Sequence, residues 1–219
     1  MLKTDKVTTL FIDIGGVLLS NGWGHDFRRL AAEKFRLDET EMEARHGIMF
    51  ATYEEGRITL DEYLERVVFY KHRDFSPAEF RDFMFSLSAP DLGMIAFIKK
   101  LKIEFGLKIV AVSNEARELN AHRIHAFGLN SFIDFFISSC YVHLRKPDEA
   151  IFKIALDTAH VSTNEVVYID DVQMFTDIAT DLGIKSIRHI DILSTSKALT
   201  AFGLHLEQTK SVMNKSIKK

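Results

Sequence analysis

Four short motifs place polar groups where apolar runs end. FIDIGGVL puts Asp13 behind apolar residues, IVAVSN ends on Ser113 and Asn114, and VVYIDD ends on Asp170 and Asp171. Between the last two, Lys146 precedes Pro147, with Asp148 and Glu149 following. Each has an ordinary reading alone, since a strand-end aspartate can cap a helix and a lysine can be solvated. Together they suit phosphoryl transfer, which needs an in-line nucleophile and positive charge around the equatorial oxygens. The Asp13 carboxylate can attack phosphorus to form an aspartyl-phosphate that water then hydrolyses. Asp13, Asp170 and Asp171 are too anionic together to accept a phosphate dianion unaided. Magnesium (Mg2+), a hard cation that prefers oxygen ligands, would supply the missing charge.

Such groups need elements that bring them to one edge. Short runs rich in Ile, Val and Phe read as strands at Thr9 to Ile14, Lys108 to Val112, Phe135 to Ser138, Val166 to Ile169 and Lys185 to Ile190. Runs apolar on both faces suit a parallel sheet covered on both sides. Helices are expected at Glu115 to Phe127, Asp148 to Ala159 and Met174 to Leu182; in the second, Ile151, Ile154 and Ala155 share a face. Pro147 is expected at that helix's first position. This alternation predicts an α/β fold with a doubly wound, Rossmann-like parallel sheet. Ligands of such sheets bind outside the carboxyl ends of the strands.

From about Trp23 to Leu87 the alternation stops. Phe27, Leu30 and Ala31 mark one helical stripe, Leu64, Val67 and Val68 another, and Phe80, Phe83, Met84 and Leu87 a third. Ser76 and Glu79 make a capping box before the last. The expected layout is a core of residues 1–20 and 88–208, an inserted all-helical cap of residues 21–87, and a flexible basic tail at 209–219.

The order Asp13, Ser113, Lys146, Asp170 resembles the haloacid dehalogenase superfamily across nearly the whole chain. The resemblance implies Mg2+ bound by the side chains of Asp13 and Asp170 and the backbone carbonyl of Gly15. Asp171 would then orient a metal-bound water or pair with Lys146. It implies catalytic roles for Asp13, Ser113 and Lys146, with substrate phosphate bound by Ser113, Asn114 and Lys146. The Ser113 hydroxyl and the Asn114 N–H would donate to phosphoryl oxygens. Lys146 would neutralise Asp13 at rest and the phosphate in the transition state.

Most phosphatases of this superfamily read D-x-D at the nucleophile loop, and the second aspartate protonates the leaving alkoxide. Here that position is Gly15. General acid catalysis is worth about 10²- to 10⁴-fold, so the departure matters. Three consequences compete. The leaving group needs little help, as in an anomeric sugar phosphate or an acyl phosphate; another donor serves, such as water, His25 or His143; or the protein binds phosphorylated ligands and turns them over poorly. The D-x-G-x-V loop and helical cap are similar to a sugar-phosphatase branch, which makes a phosphatase of a small phosphorylated metabolite, best a sugar phosphate, the leading expectation. The alternative is a catalytically weakened phospho-ligand-binding or regulatory protein. A dehalogenase is disfavoured because those relatives usually carry tyrosine where Gly15 stands. A phosphonate-cleaving enzyme is disfavoured because neither Lys34 nor Lys71 sits in a recognisable motif.

The 219 residues are 47% hydrophobic and 27% charged with a net charge of −3, ordinary for a globular protein and without a basic footprint for nucleic acid or anionic membrane. No apolar run reaches the ~18 residues of a spanning helix. Nothing at the N-terminus reads as a signal peptide, so a cytoplasmic monomer or homodimer is expected. A single cysteine, Cys140, excludes an internal disulfide and reads as a buried structural thiol. The glycines of GGVLLSNGWG lack the following Lys-Ser or Lys-Thr pair of a phosphate-cradling loop, and read as a mobile turn joining core to cap. Asn21, Trp23 and His25 just beyond it are candidates to face substrate. Gly56 of YEEGRIT reads as a turn whose contact with substrate stays open, and His122 and His125 share a helix face without a third ligand.

Overall fold

The structure, a computed structural model, describes residues 6–206, so the expected tail at 209–219 lies outside the described residues. Strands β1 (Thr9–Ile12), β2 (Lys108–Ser113), β3 (Phe135–Ser138), β4 (Val166–Asp170) and β5 (Lys185–Arg188) form one parallel sheet in the order β3-β2-β1-β4-β5. All five expected runs pair, with β1 and β5 ending earlier than the apolar runs do. Between β1 and β2 lie five helices, of which the first four are α1 (His25–Phe35), α2 (Glu39–Glu54), α3 (Leu60–Val67) and α4 (Pro77–Ser86). The rest follow in order: α5 (Leu92–Phe105), α6 (Arg117–Ala126), the short α7 (Ser139–Val142), α8 (Glu149–Ala159), α9 (Gln173–Asp181) and α10 (Ile192–Thr200).

Successive strand residues point to opposite faces, so an apolar run feeds two layers at once. Leu10, Ile12, Ile109, Ala111, Val167 and Ile169 pack with Met94, Ile98 and Leu101 of α5 and Leu199 of α10. Phe11, Val110, Val112 and Tyr168 pack instead with Ile151, Phe152 and Ala155 of α8 and Ala179 of α9. Leu10, Phe11 and Ile12 are fully buried, each contributing about 1.5–3 kcal/mol relative to exposure. The sheet is therefore doubly wound, as expected.

The four inserted helices share a third apolar cluster, including Ala31, Met42, Tyr53, Tyr63, Leu64, Phe80 and Met84, which also takes in Ala116 and Leu119 at the start of α6. This is how the cap sits on the core. The Ser76–Glu79 capping box is present, with Ser76 N donating to Glu79 Oε2 at 2.8 Å and Glu79 N to Ser76 Oγ at 3.2 Å. The two chain crossings between cap and core run side by side, with Ser20 N donating to the Ala89 carbonyl at 2.8 Å. One local expectation is corrected: Asp148, not Pro147, sets the start of α8. Its carboxylate accepts from Ala150 N at 2.8 Å as the N-cap, and Pro147 stands before it, behind a cis Lys146–Pro147 bond.

Candidate active site

Sheet register assembles the site. Ile12 pairs with Ala111 on one side and Ile169 on the other, so Asp13, one residue on, comes level with Asp170. The Asp13 N–H still donates to the Ile169 carbonyl at 2.9 Å, which fixes where its side chain leaves the sheet. Lys146 arrives from the loop between α7 and α8. The Asn114 side chain clamps its backbone, accepting from Lys146 N at 2.8 Å and donating to Lys146 O at 2.9 Å. The ammonium lies 3.1 Å from Asp13 Oδ2, 2.6 Å from Asp170 Oδ2 and 3.1 Å from the Tyr168 hydroxyl, which itself donates to Asp170 Oδ2. Lys146 and Asp170 are fully buried, while Asp13 keeps 8% exposure toward the cavity described below.

Burial dominates the electrostatics. It pushes the Asp13 carboxyl up to about 7, with Lys146 opposing and Asp170 adding to the rise. For Lys146 burial acts downward, but the two carboxylates outweigh it and hold the ammonium above its ordinary value. Burial and then Asp170 raise Asp171. Carboxylate oxygens of Asp13, Asp170 and Asp171 lie within 4.8 Å of one another. Three such oxygens against one ammonium form a donor set suited to a hard divalent cation. Gly16 makes room for Asp171: its φ is +70°, and a Cβ there would stand 2.5 Å from the Asp171 Cγ. Ser113 Oγ, in a residue 1% exposed, has no hydrogen-bond partner among the described residues. A buried hydroxyl left so is costly unless something else meets it.

Between core and cap lies a cavity of about 450 Å³. Asp13, Gly15, Asn114, Glu115 and Asp171 line it from the core side, and Trp23, Arg28, His46, Phe50 and Glu54 from the cap side. The cap wall is held by its own polar contacts. Arg28 pairs with Glu43 at 2.5 and 2.8 Å, and the Tyr63 hydroxyl meets Trp23 Nε1 at 2.9 Å and His46 Nδ1 at 2.7 Å. Arg145, next to Lys146, crosses to the cap through Glu54 at 2.9 Å. Burial raises the Glu54 carboxyl to about 7, with Arg145 opposing.

Asp13, Gly15, Asn114, Lys146, Asp170 and Asp171 thus converge, with Ser113 buried at the end of β2. The Lys146 ion pairs go to Asp13 and Asp170, so the expected alternative of an Asp171–Lys146 pair is replaced by this geometry. Asn21, Trp23 and His25 line the cavity. His143 does not; its φ is +56°, and its Nδ1 meets the Glu55 carbonyl at 2.7 Å. Gly56 packs on the core instead, where a Cβ would come 2.5 Å from the Cys140 carbonyl. His122 stacks on Phe85 at 4.5 Å. Cys140 is buried, its thiol pushed up to about 12 by that burial. The sequence reading missed Tyr168, Glu115, Glu54 and Arg145. Tyr168 had a signal, because it shares a strand face with Asp170 two residues on.

The chain matches the haloacid dehalogenase-like hydrolases over residues 7–174, from before β1 through the Asp170–Asp171 pair. It belongs to that family. Among haloacid dehalogenase-like relatives in solved structures, a HAD family enzyme of Bacteroides thetaiotaomicron superposes with a TM-score of 0.71 at 19% identity, covering 85% of this chain and 95% of that one. Another structure of that enzyme is a complex with magnesium and inorganic phosphate. L-2-haloacid dehalogenase of Xanthobacter autotrophicus gives a TM-score of 0.60 at 14% identity, covering 89% of this chain and 83% of its own. These likenesses concern the fold. Bifunctional epoxide hydrolase 2 of Sus scrofa is 38% identical over 85 residues, which is 38% of this chain and 15% of that protein. The protein of the same name from Rattus norvegicus is 38% identical over 71 residues, 32% of this chain and 13% of that one. The matched stretch therefore spans a small part of these relatives' length.

Proposed function

We propose that this family member is a Mg2+-dependent phosphatase of a small phosphorylated metabolite, with a sugar phosphate as the best candidate. The observation that carries the reading is Lys146 standing between Asp13 and Asp170 while the buried Ser113 hydroxyl, at the end of β2 next to β1, has no partner among the described residues. A phosphoryl group entering over Asp13 supplies that partner.

In this reading Asp13 attacks phosphorus and carries the phosphoryl group, and water later releases it. Lys146 holds the nucleophile's charge at rest and then faces the developing charge on the transferred group. Ser113 and the Asn114 N–H donate to its oxygens, and the Asn114 side chain keeps Lys146 in place. Asp13, Asp170, Asp171 and the Gly15 carbonyl would hold Mg2+, whose charge, when bound, polarises the phosphoryl oxygens. Magnesium and phosphate in the Bacteroides enzyme of the same fold support this assignment. The cavity of about 450 Å³, walled by Trp23 and Phe50 along with Asn21 and Arg28, suits a polar molecule of sugar size that also offers apolar faces. The D-x-G-x-V loop at Asp13 is the feature shared with the sugar-phosphatase branch.

The test is phosphate release over a panel of phosphorylated metabolites with Mg2+, run beside Asp13→Asn. Turnover by the natural protein alone supports the reading. Equal background from both sinks it in favour of a ligand-binding protein, the reading that Gly15 favours.

A further inference from the structure

Gly15 leaves the leaving group without the usual proton donor, yet its side-chain space is not bare. A Cβ built there would find Asn21 Oδ1 at 3.5 Å and Glu115 Oε1 at 3.8 Å, with no clash. A carboxyl carried on position 15 would reach into the region that the Glu115 carboxyl already borders. Glu115 follows directly on Ser113 and Asn114, where β2 gives way to α6, and it lines the cavity beside Asp13. Its residue is 4% exposed. Arg123 of α6 holds Oε1, while Oε2 is buried with no hydrogen-bond partner among the described residues. The Glu115 N–H donates to Ser139 Oγ at 3.0 Å, so the backbone is fixed from a second side.

We propose that Glu115 is the proton donor that replaces the acid missing at Gly15, an inference that rests on the phosphatase reading above. Arg123 anchors Oε1, the oxygen nearest position 15, and the buried Oε2, without a partner among the described residues, is the one left to carry a proton. Burial favours the protonated form, and Arg123 and Lys146 oppose it. In the first step Asp13 forms its bond to phosphorus as the bond from phosphorus to the leaving oxygen breaks. The Glu115 proton passes to that oxygen, giving a neutral alcohol and a Glu115 carboxylate beside Arg123. In the second step this carboxylate takes a proton from the attacking water as the Asp13–phosphorus bond breaks. Inorganic phosphate leaves, and Glu115 is again an acid.

The experiment compares kcat/KM on p-nitrophenyl phosphate, whose leaving group needs no proton, with that on an alkyl phosphate, whose leaving group does. Glu115→Gln keeps an oxygen for Arg123. It should lose about 10²-fold or more on the alkyl substrate and no more than about threefold on the aryl one. G15D/E115Q should regain alkyl turnover, because a Cβ at position 15 meets no atom closer than 3.5 Å and points toward the region that the Glu115 carboxyl borders. Equal loss on both substrates, no loss on either, or the selective loss appearing in Glu54→Gln instead would overturn the proposal. If Glu115→Gln does not fold, G15D alone decides. Less than about a threefold change on the alkyl substrate supports an acid already in place, and a tenfold or larger rise contradicts it. Absence of turnover by the natural protein on the aryl, the alkyl and every metabolite phosphate would sink the phosphatase reading and this proposal with it, whereas the variant outcomes bear on Glu115 alone.

Discussion

Nζ of Lys146 lies 2.6 Å from Oδ2 of Asp170, and both side chains are completely buried. A pair so placed is held by mutual charge against a large loss of hydration, so removing one partner leaves the other stranded. Lys146→Met should lower the stability of the metal-free protein by about 3–5 kcal/mol, measured by urea unfolding. Adding Asp170→Asn should recover part of that loss, because one stranded carboxylate goes with it. An unchanged midpoint for Lys146→Met would mean that the pair contributes nothing.

The nucleophile loop makes opposite demands on adjacent glycines. Gly16 has a φ of +70°, and a Cβ there would stand 2.5 Å from Asp171 Cγ, whereas the nearest atom to a Cβ on Gly15 is 3.5 Å away. Gly16→Ala should cost about 1–3 kcal/mol and reduce turnover by displacing Asp171. Gly15→Ala should stay within about 0.5 kcal/mol of the natural protein. Thermal unfolding of the two variants side by side gives the comparison, and a reversed order would refute the loop geometry.

The carboxylate cluster predicts metal-linked stability. Mg2+ should stabilise chelator-treated protein by about 2.7 kcal/mol at one hundred times Kd, seen as a raised unfolding midpoint. Asp170→Asn should abolish most of the shift. An equal shift in that variant would place the metal elsewhere.

His46 sets a pH dependence of stability. Burial, reinforced by nearby Arg28, lowers its imidazole to about 4, against about 6.5 in an unfolded chain. Between those values the unfolded chain binds a proton that the folded one does not. The contribution of His46 is therefore complete above pH ~6.5 and falls as pH drops toward 4, by up to about 3 kcal/mol. Glu54, raised to about 7, acts in the opposite sense, losing stability as pH rises from its ordinary range. The difference between the natural protein and His46→Gln across pH 4–7 isolates the histidine; parallel curves would remove it from the account.

The strands were legible because a sheet covered on both faces demands continuous apolar runs, and Thr9–Ile12 and Val166–Asp170 supply them. The polar residues at their ends were legible for the same reason, since little else interrupts such runs. Helix α2 was not marked, although it is the longest in the cap: its buried residues, Met42, His46 and Tyr53, mix apolar and polar types and blur the stripe. The Arg145–Glu54 and Arg123–Glu115 pairs join residues that lie 91 and 8 positions apart in the sequence, the first across half the cap and much of the core. Only the packing of α2 and α6 over the strand ends shows why those acids face the cavity. Pro147 misled through a general rule, because Asp148 offered a better cap one residue later.

The central claim is that Asp13 becomes phosphorylated during turnover. Rapid acid quench of the Mg2+-loaded protein with an active phosphorylated substrate, followed by peptide mass analysis, tests it most directly. The account predicts the mass of one phosphoryl group on the peptide containing Asp13, sensitive to base and absent from Asp13→Asn. Phosphate release with no such adduct, or undiminished release by Asp13→Asn, would contradict it.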